Sequence, residues 1–294
     1  MKQTILGAIY LSLAASIWGG MYVVSKYVLD FIPPLTLVWL RFIIAFVVLY
    51  GILKLAEKKQ KKKVTIRKKD WLLFAWIGFI GYFISITCQF IGTKLSDAHT
   101  GSLVTSATPA CMVIFAALIL KEKLTARRLL STIIATIGVI IVIGWDIEIG
   151  SYFIGTIILV GAAITWALLS IYVKIASIQF SSLVITTYAI FFSLFFITPF
   201  MIGELQAASI GTVNTYVILG VLYLGIVSTA GAFFLWNKGL ELLDASIGSL
   251  FFFFQPIVGS LLGWLLLNET LNSNFFIGGI LIICSVLITT FEKK

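Results

Sequence analysis

Ten runs of roughly twenty apolar residues follow one another along this chain, and that succession leaves few architectures open. The runs fall near 5–29, 35–56, 71–93, 97–120, 126–145, 152–174, 182–203, 214–237, 245–267 and 274–291. A helix rises about 1.5 Å per residue, so about twenty apolar residues cross a hydrocarbon core about 30 Å thick. Backbone amides have no water to bond with there, and runs of this length must be helical. Composition agrees, because only 11% of the residues are charged against about 25% in ordinary soluble domains. Too little charge remains to cover a water-facing surface, so the outer surface must face the lipid bilayer. The first run continues past Trp18 to Val28, longer than the apolar core of a signal peptide, and reads as a span.

Basic residues set the orientation. With the N-terminus in the cytoplasm, 18 of the 21 Lys and Arg residues fall on the inner side. Nine of them lie between Lys54 and Lys69, and Lys121, Lys123, Arg127 and Arg128 form a second group. Lys94 falls outside, and Lys26 and Arg41 fall within spans. The acidic loop carrying Asp146 and Glu148 is external. The chain is therefore expected in the cytoplasmic membrane with both termini inside. The same distribution removes nucleic acid as a partner, since the net charge of +9 comes from short loops rather than from a basic domain face.

The chain also repeats itself. Gly7, Leu11, Ala14, Ala15, Trp18 and Lys26 recur 148 positions later as Gly155, Leu159, Ala162, Ala163, Trp166 and Lys174. Gly92, Asp97, Ala98, Gly101, Ser102, Leu103, Pro109, Glu122 and Leu124 recur 147 positions later, from Gly239 to Leu271. Matches at Trp, Pro, Asp and Glu are not the Leu-for-Ile coincidences of two apolar stretches. Residues 1–147 and 148–294 are thus expected to be two five-helix units. Five is odd, so the second unit sits upside down relative to the first. Inverted repeats are a recurrent plan of secondary transporters, with the substrate near the bilayer midplane where the repeats meet.

The motif Ala14-Ala15-Ser16-Ile17-Trp18-Gly19, the spacing from Pro109 to Glu122 with Lys-Glu-Lys-Leu-Thr after the fourth span, and the duplication of both resemble the EamA type of the drug/metabolite transporter superfamily. The resemblance spans almost the whole chain. It implies an all-α membrane protein of ten helices, an inner-membrane location and transport of small metabolites, often amino-acid efflux. The sequence departs from the usual pattern at Asn268, where a Gly often precedes the Glu.

Candidate site residues follow from depth and polarity. Trp18 and Trp166, repeat mates near mid-span, are placed to pack or to line a cavity. Tyr22 lies one turn beyond Trp18. Tyr82, Ser85 and Gln89 share one face of the third span and must point into the bundle, as interhelical bonds or as a lining. Gln255 precedes Pro256 mid-span, where proline frees a carbonyl, and the Phe251–Phe254 run beside it reads mostly as lipid-facing. The expected substrate-binding set is Trp18, Tyr22, Tyr82, Gln89, Trp166 and Gln255. Arg41 and Lys26 lie near outer helix ends, where long side chains snorkel, and Lys26 is spaced to pair with Asp30. Glu122 and Glu269 read as parts of helix joints capped by Thr125 and Asn272, with proton coupling as the alternative. Asp97 and Asp244 read as N-caps.

Absences sharpen the reading. No GxxxxGK[ST] loop is present for ATP, and one histidine with three scattered cysteines makes neither a metal site nor a disulfide framework. No cofactor is expected, and no paired carboxylates suggest an enzyme. The expected function is secondary transport of a small polar or amphipathic metabolite, with amino-acid export favoured. A lipid flippase and an importer are the alternatives. Oligomeric state is not written in the sequence.

Overall fold

In the computed structural model the described residues are 2–60, 65–105, 107–121, 125–143, 150–243, 245–268 and 273–290. Among them there is helix and no strand. In chain order the helices are α1 (Lys2–Leu29), α2 (Pro34–Gln60), α3 (Lys68–Leu95), α4 (Ala98–Thr105), α5 (Thr108–Ile119) and α6 (Ala126–Ile143). They continue as α7 (Ser151–Ala176), α8 (Ser182–Ala207), α9 (Thr215–Leu242), α10 (Ala245–Gly248), α11 (Phe254–Leu267) and α12 (Ser273–Thr290). Seven helices, counting the α4–α5 stretch as one, are long and apolar enough to cross a membrane. The three other expected runs correspond to α6, to the shorter apolar α11 with its preceding turns, and to α12. Large apolar side chains such as Leu72, Leu118, Phe195 and Trp264 point outward. Hydroxyls of Ser85, Thr105, Thr108, Thr186 and Thr229 point inward. That distribution suits a lipid solvent, where every polar group must find a partner inside the protein.

The helices pack reciprocally. α1 lies against α9 and α11, while its repeat mate α7 lies against α3 and α5. α2 runs along α8, and α6 pairs mainly with α12. α3 and α9 are also alike internally, since each carries a π-helical segment, Gly78–Ser85 and Tyr223–Gly231. The expected fourth and ninth spans are not continuous. The fourth is interrupted at Ala107, a turn residue that precedes the helix Thr108–Ile119 and Pro109. The ninth passes from α10 through a 3-10 turn, Ser249–Phe253, into α11 ahead of Pro256. Proline lacks an N–H for the carbonyl four residues back and crowds it, so both breaks arise where the duplicated prolines stand.

Polar contacts fasten the helix ends. The Lys26 ammonium donates to the carbonyls of Thr93, Lys94 and Ser96, at the end of α3. Lys174 does the same for Leu240 and Leu243, each at 2.8 Å, at the end of α9. A cation there satisfies orphan carbonyls and meets the negative end of the helix dipole. The expected Lys26–Asp30 pair is therefore replaced by a cap on another helix, which only tertiary packing could bring near. Glu204 accepts from the amides of Leu35 (3.1 Å) and Thr36 (2.7 Å) and so caps α2 from the end of α8. Asp97 caps α4 as expected, its Oδ1 accepting from Thr100 N at 2.8 Å. Thr125 stands immediately before α6; Glu122, Asp244, Glu269 and Asn272 lie outside the described residues. Lys121 and Asn268, repeat mates that precede those glutamates, both adopt the left-handed conformation, at φ 58° and 54°. Asn tolerates that conformation better than most residues.

Candidate functional site

The two proline-associated breaks bring their last and first residues to one small cavity between the repeats. It is lined by Trp18, Ile86, Gln89, Thr105, Thr108, Ala162, Trp166, Phe233, Phe252 and Gln255. Four pairs among these are repeat mates 147 or 148 positions apart: Trp18 with Trp166, Ile86 with Phe233, Thr105 with Phe252, and Thr108 with Gln255. Equivalent positions from both repeats surround one point. The cavity measures about 10 Å³, room for about one water, so the bundle is closed around it.

Its chemistry is two-sided. Thr105 and Gln89 of the first repeat stand where the second has the rings of Phe252 and Trp236, while Thr108 is matched by the amide of Gln255 and Trp18 by the indole of Trp166. Trp18 meets Trp166 edge to face at 5.1 Å, Trp236 at 5.3 Å and Phe252 at 6.0 Å between ring centroids. Phe233 closes the same wall at 5.3 Å from Trp166. On the other side Thr105 is a hub. Its hydroxyl donates to the Gly101 carbonyl at 2.7 Å and accepts from Gln255 Nε2 at 3.3 Å. With that proton committed, the 2.7 Å contact to Tyr22 has the phenol as donor. Tyr22 in turn accepts from Gln89 Nε2. Two buried atoms of the lining remain unpaired, the Trp166 indole N–H and Gln255 Oε1. A donor and an acceptor left without partners in a buried site are costly unless a ligand or water meets them.

Of the six expected residues, Trp18, Gln89, Trp166 and Gln255 line the cavity. Tyr22 and Tyr82 stand one residue behind it. Tyr22 holds Gln89 and Thr105 in place, and Tyr82 stacks on Phe233 at 4.7 Å while accepting from Asn237 Nδ2 at 3.1 Å. Ser85 binds the Ala162 carbonyl at 2.8 Å, a plain interhelical bond. The Trp18 N–H finds the Ser228 carbonyl at 3.1 Å. Close approach of α1 to α11 depends on Gly19, where a Cβ would lie 2.6 Å from the Gln255 carbonyl oxygen. The phenylalanine run is corrected: Phe254 is exposed, but Phe252 turns inward onto Trp236 at 4.4 Å and Phe251 packs partly against the core. Sequence reasoning also passed over Thr105, Thr108 and Phe233. The first two were signalled by the following Pro109; an apolar Phe in an apolar helix carries no signal.

Arg41 is the larger correction. It does not snorkel. Its side chain is fully buried, with Nε donating to Thr229 Oγ1 at 2.6 Å and Nη2 to Ser228 Oγ at 3.3 Å. The reason is local. Arg41 sits two turns into α2, opposite the π-helical segment of α9, whose wide turn presents two hydroxyls on consecutive residues. No group of three or more potential metal ligands occurs among the described residues.

The comparisons with known proteins agree with this architecture. The chain is 28% identical over 291 residues to the uncharacterized transporter YetK of Bacillus subtilis, covering 97% of this chain and 87% of that protein. It is 25% identical over 292 residues to a probable amino-acid metabolite efflux pump of Escherichia coli, covering 96% and 94%. A solved crystal structure shares the fold with a TM-score of 0.70 at 20% identity, over 99% of this chain and 98% of that one. The model of the EamA-like transporter family matches twice, at residues 5–144 and 153–291. Two matches that together span nearly the whole chain, on a helical membrane bundle with a cavity between its halves, place this protein in the EamA-like transporter family.

Proposed function

We propose that this multi-pass membrane protein is a secondary transporter that moves small amphipathic metabolites, amino acids or related molecules, out across the cytoplasmic membrane by alternating access. In this reading all ten runs cross the membrane, the two five-helix units are inverted, and both termini are cytoplasmic. The substrate passes through the cavity bounded by Trp18, Gln89, Trp166 and Gln255, with Tyr22 and Tyr82 holding its walls. The observation that carries the reading is the cavity's composition: repeat-mate positions surround it, and it holds an unpaired indole N–H and an unpaired amide oxygen. Two similarly built halves can exchange inward- and outward-open arrangements around a central site. The broken helices at Pro109 and Pro256 supply the irregular backbone such sites use. The similarity to an amino-acid metabolite efflux pump supports the substrate class.

The test is counterflow. Proteoliposomes holding purified protein and preloaded with unlabelled phenylalanine or leucine should accumulate the radiolabelled amino acid, and a Trp166→Ala variant that folds should not. Liposomes that scramble fluorescent lipid while ignoring amino acids would favour the flippase reading instead.

A further inference from the structure

Arg41 is a cation inside the bundle with no described carboxylate beside it. Its guanidinium carries five N–H groups, and three acceptors meet them: two hydroxyls and the Met21 thioether at 3.5 Å. Two rings also face it, with the guanidinium carbon 4.8 Å from the Phe90 centroid and 5.8 Å from that of Phe233. No described carboxylate forms an ion pair with it. The described acids stand at helix ends, as with Asp70 on Arg67, Glu204 on the amides of α2 and Glu241 on Lys238. Removing a charge from water without a partner costs several kcal/mol or more, so a protein that keeps one there has a use for it.

The duplication provides an internal control on whether that use is folding. α2 and α8 begin 148 positions apart, so Arg41 corresponds to Ala189. One flanking contact is matched, although the hydroxyls on the guanidinium are not, since Ser228 and Thr229 correspond to Gly81 and Tyr82. A Cβ at Gly225 would lie 2.7 Å from Ile44 Cβ, and one at its mate Gly78 would lie 3.0 Å from Cβ of Phe192, the mate of Ile44. The same pair of helices therefore closes against the same π-helical turn in both halves, and one half does it with alanine. The fold does not require a charge at this position.

Phe233 joins Arg41 to the cavity, because the one ring lines the cavity and covers the guanidinium. Ser228 joins them again: its carbonyl holds the Trp18 indole and its hydroxyl holds Arg41. We propose that Arg41 is the anchor for a carboxylate on the transported molecule, whose apolar, ring-sized body fills the aromatic side of the cavity once Phe233 swings aside. This rests on the transport reading for its cavity and adds the charge and shape of what enters.

The test is equilibrium binding to the purified full-length protein in nanodiscs, read by tryptophan fluorescence and thermal shift. The probes are L-phenylalanine, 3-phenylpropionate, L-phenylalaninamide and 2-phenylethylamine. The two carboxylates should bind on the order of tenfold or more tighter than the amide and the amine, as expected for a hydrogen-bonded charged group. Arg41→Gln should abolish that preference by weakening the two carboxylates without weakening the two probes that lack one, and Arg41→Lys should retain part of it. A purely structural arginine would shift all four probes together. Equal binding of all four to the wild type, binding of none, or a carboxylate preference that survives in Arg41→Gln would overturn the proposal. The wild-type series decides even if Arg41→Gln fails to fold. Should Trp166→Ala weaken every probe while the Arg41 variants leave the preference intact, the cavity stands and the anchor falls. Should the Arg41-dependent preference hold without any counterflow, the anchor stands and the transport reading falls.

Discussion

Replacing Thr105 by Val keeps the shape of the side chain and removes the hydroxyl on which the polar side of the cavity converges. Two donors lose their acceptor at once, the Tyr22 phenol at 2.7 Å and Gln255 Nε2 at 3.3 Å. A buried polar group left unpaired costs about 1–3 kcal/mol, so two stranded donors set a loss of about 2–6 kcal/mol for Thr105→Val. Interhelical hydrogen bonds between membrane helices are weaker than that figure suggests, averaging about 0.6 and reaching about 1.7 kcal/mol in double-mutant cycles. The lower end is therefore expected. Tyr22→Phe removes the same Tyr–Thr bond from its other end and strands Gln89 Nε2. In the double variant the phenol is no longer present to be stranded, so the two losses should not add. A coupling of about 1 kcal/mol is expected, measured as unfolding free energy by steric trapping in bicelles for the four corners of the cycle. Additivity within about 0.3 kcal/mol, with both single variants folded, would refute the hub and with it the claim that Gln89 and Gln255 are oriented through Thr105.

The two tryptophans should separate by what their N–H groups touch. Trp18→Phe removes the buried bond to the Ser228 carbonyl and should lower stability by about 1 kcal/mol in the same unfolding assay. Trp166→Phe removes an unpaired donor, so it should leave stability nearly unchanged and alter binding of the probe molecules instead. Lys121→Gly should stabilise by about 1 kcal/mol, since it relieves a left-handed residue at φ 58°; an unchanged or lower melting temperature would count against that conformation. Lys26→Met and Lys174→Met should each destabilise by about 1–2 kcal/mol, and a loss at one site without the other would break the equivalence of the two caps. Reporter fusions at Lys62, Lys123 and Lys294 should report cytoplasm, and fusions at Asp146 and Glu204 the exterior. A mixture at any of them contradicts the inverted arrangement.

The membrane class, the duplication and the central place of Trp18 and Trp166 within their helices were legible in the sequence. These follow from solvent: apolar runs of fixed length have one stable form in lipid, and a repeated Trp or Pro is visible without coordinates. It also placed Gln89 and Gln255 inward, because an amide cannot face lipid cheaply. It did not determine side-chain destinations that depend on a second helix. Lys26 had a partner within reach along its own helix, yet the end of α3 offers three carbonyls and a dipole. Arg41 had an apparent route to water, yet the π-helical turn of α9 holds it inside with Thr229 and Ser228. The π segments lack a compositional mark, and neither Phe233 nor Phe252 differs in sequence from the lipid-facing phenylalanines around it. Only packing decides which face of an all-apolar helix is interior. In lipid the hydrophobic effect no longer makes that choice, so it falls to close contacts, at glycines and at hydrogen bonds between helices far apart in the chain.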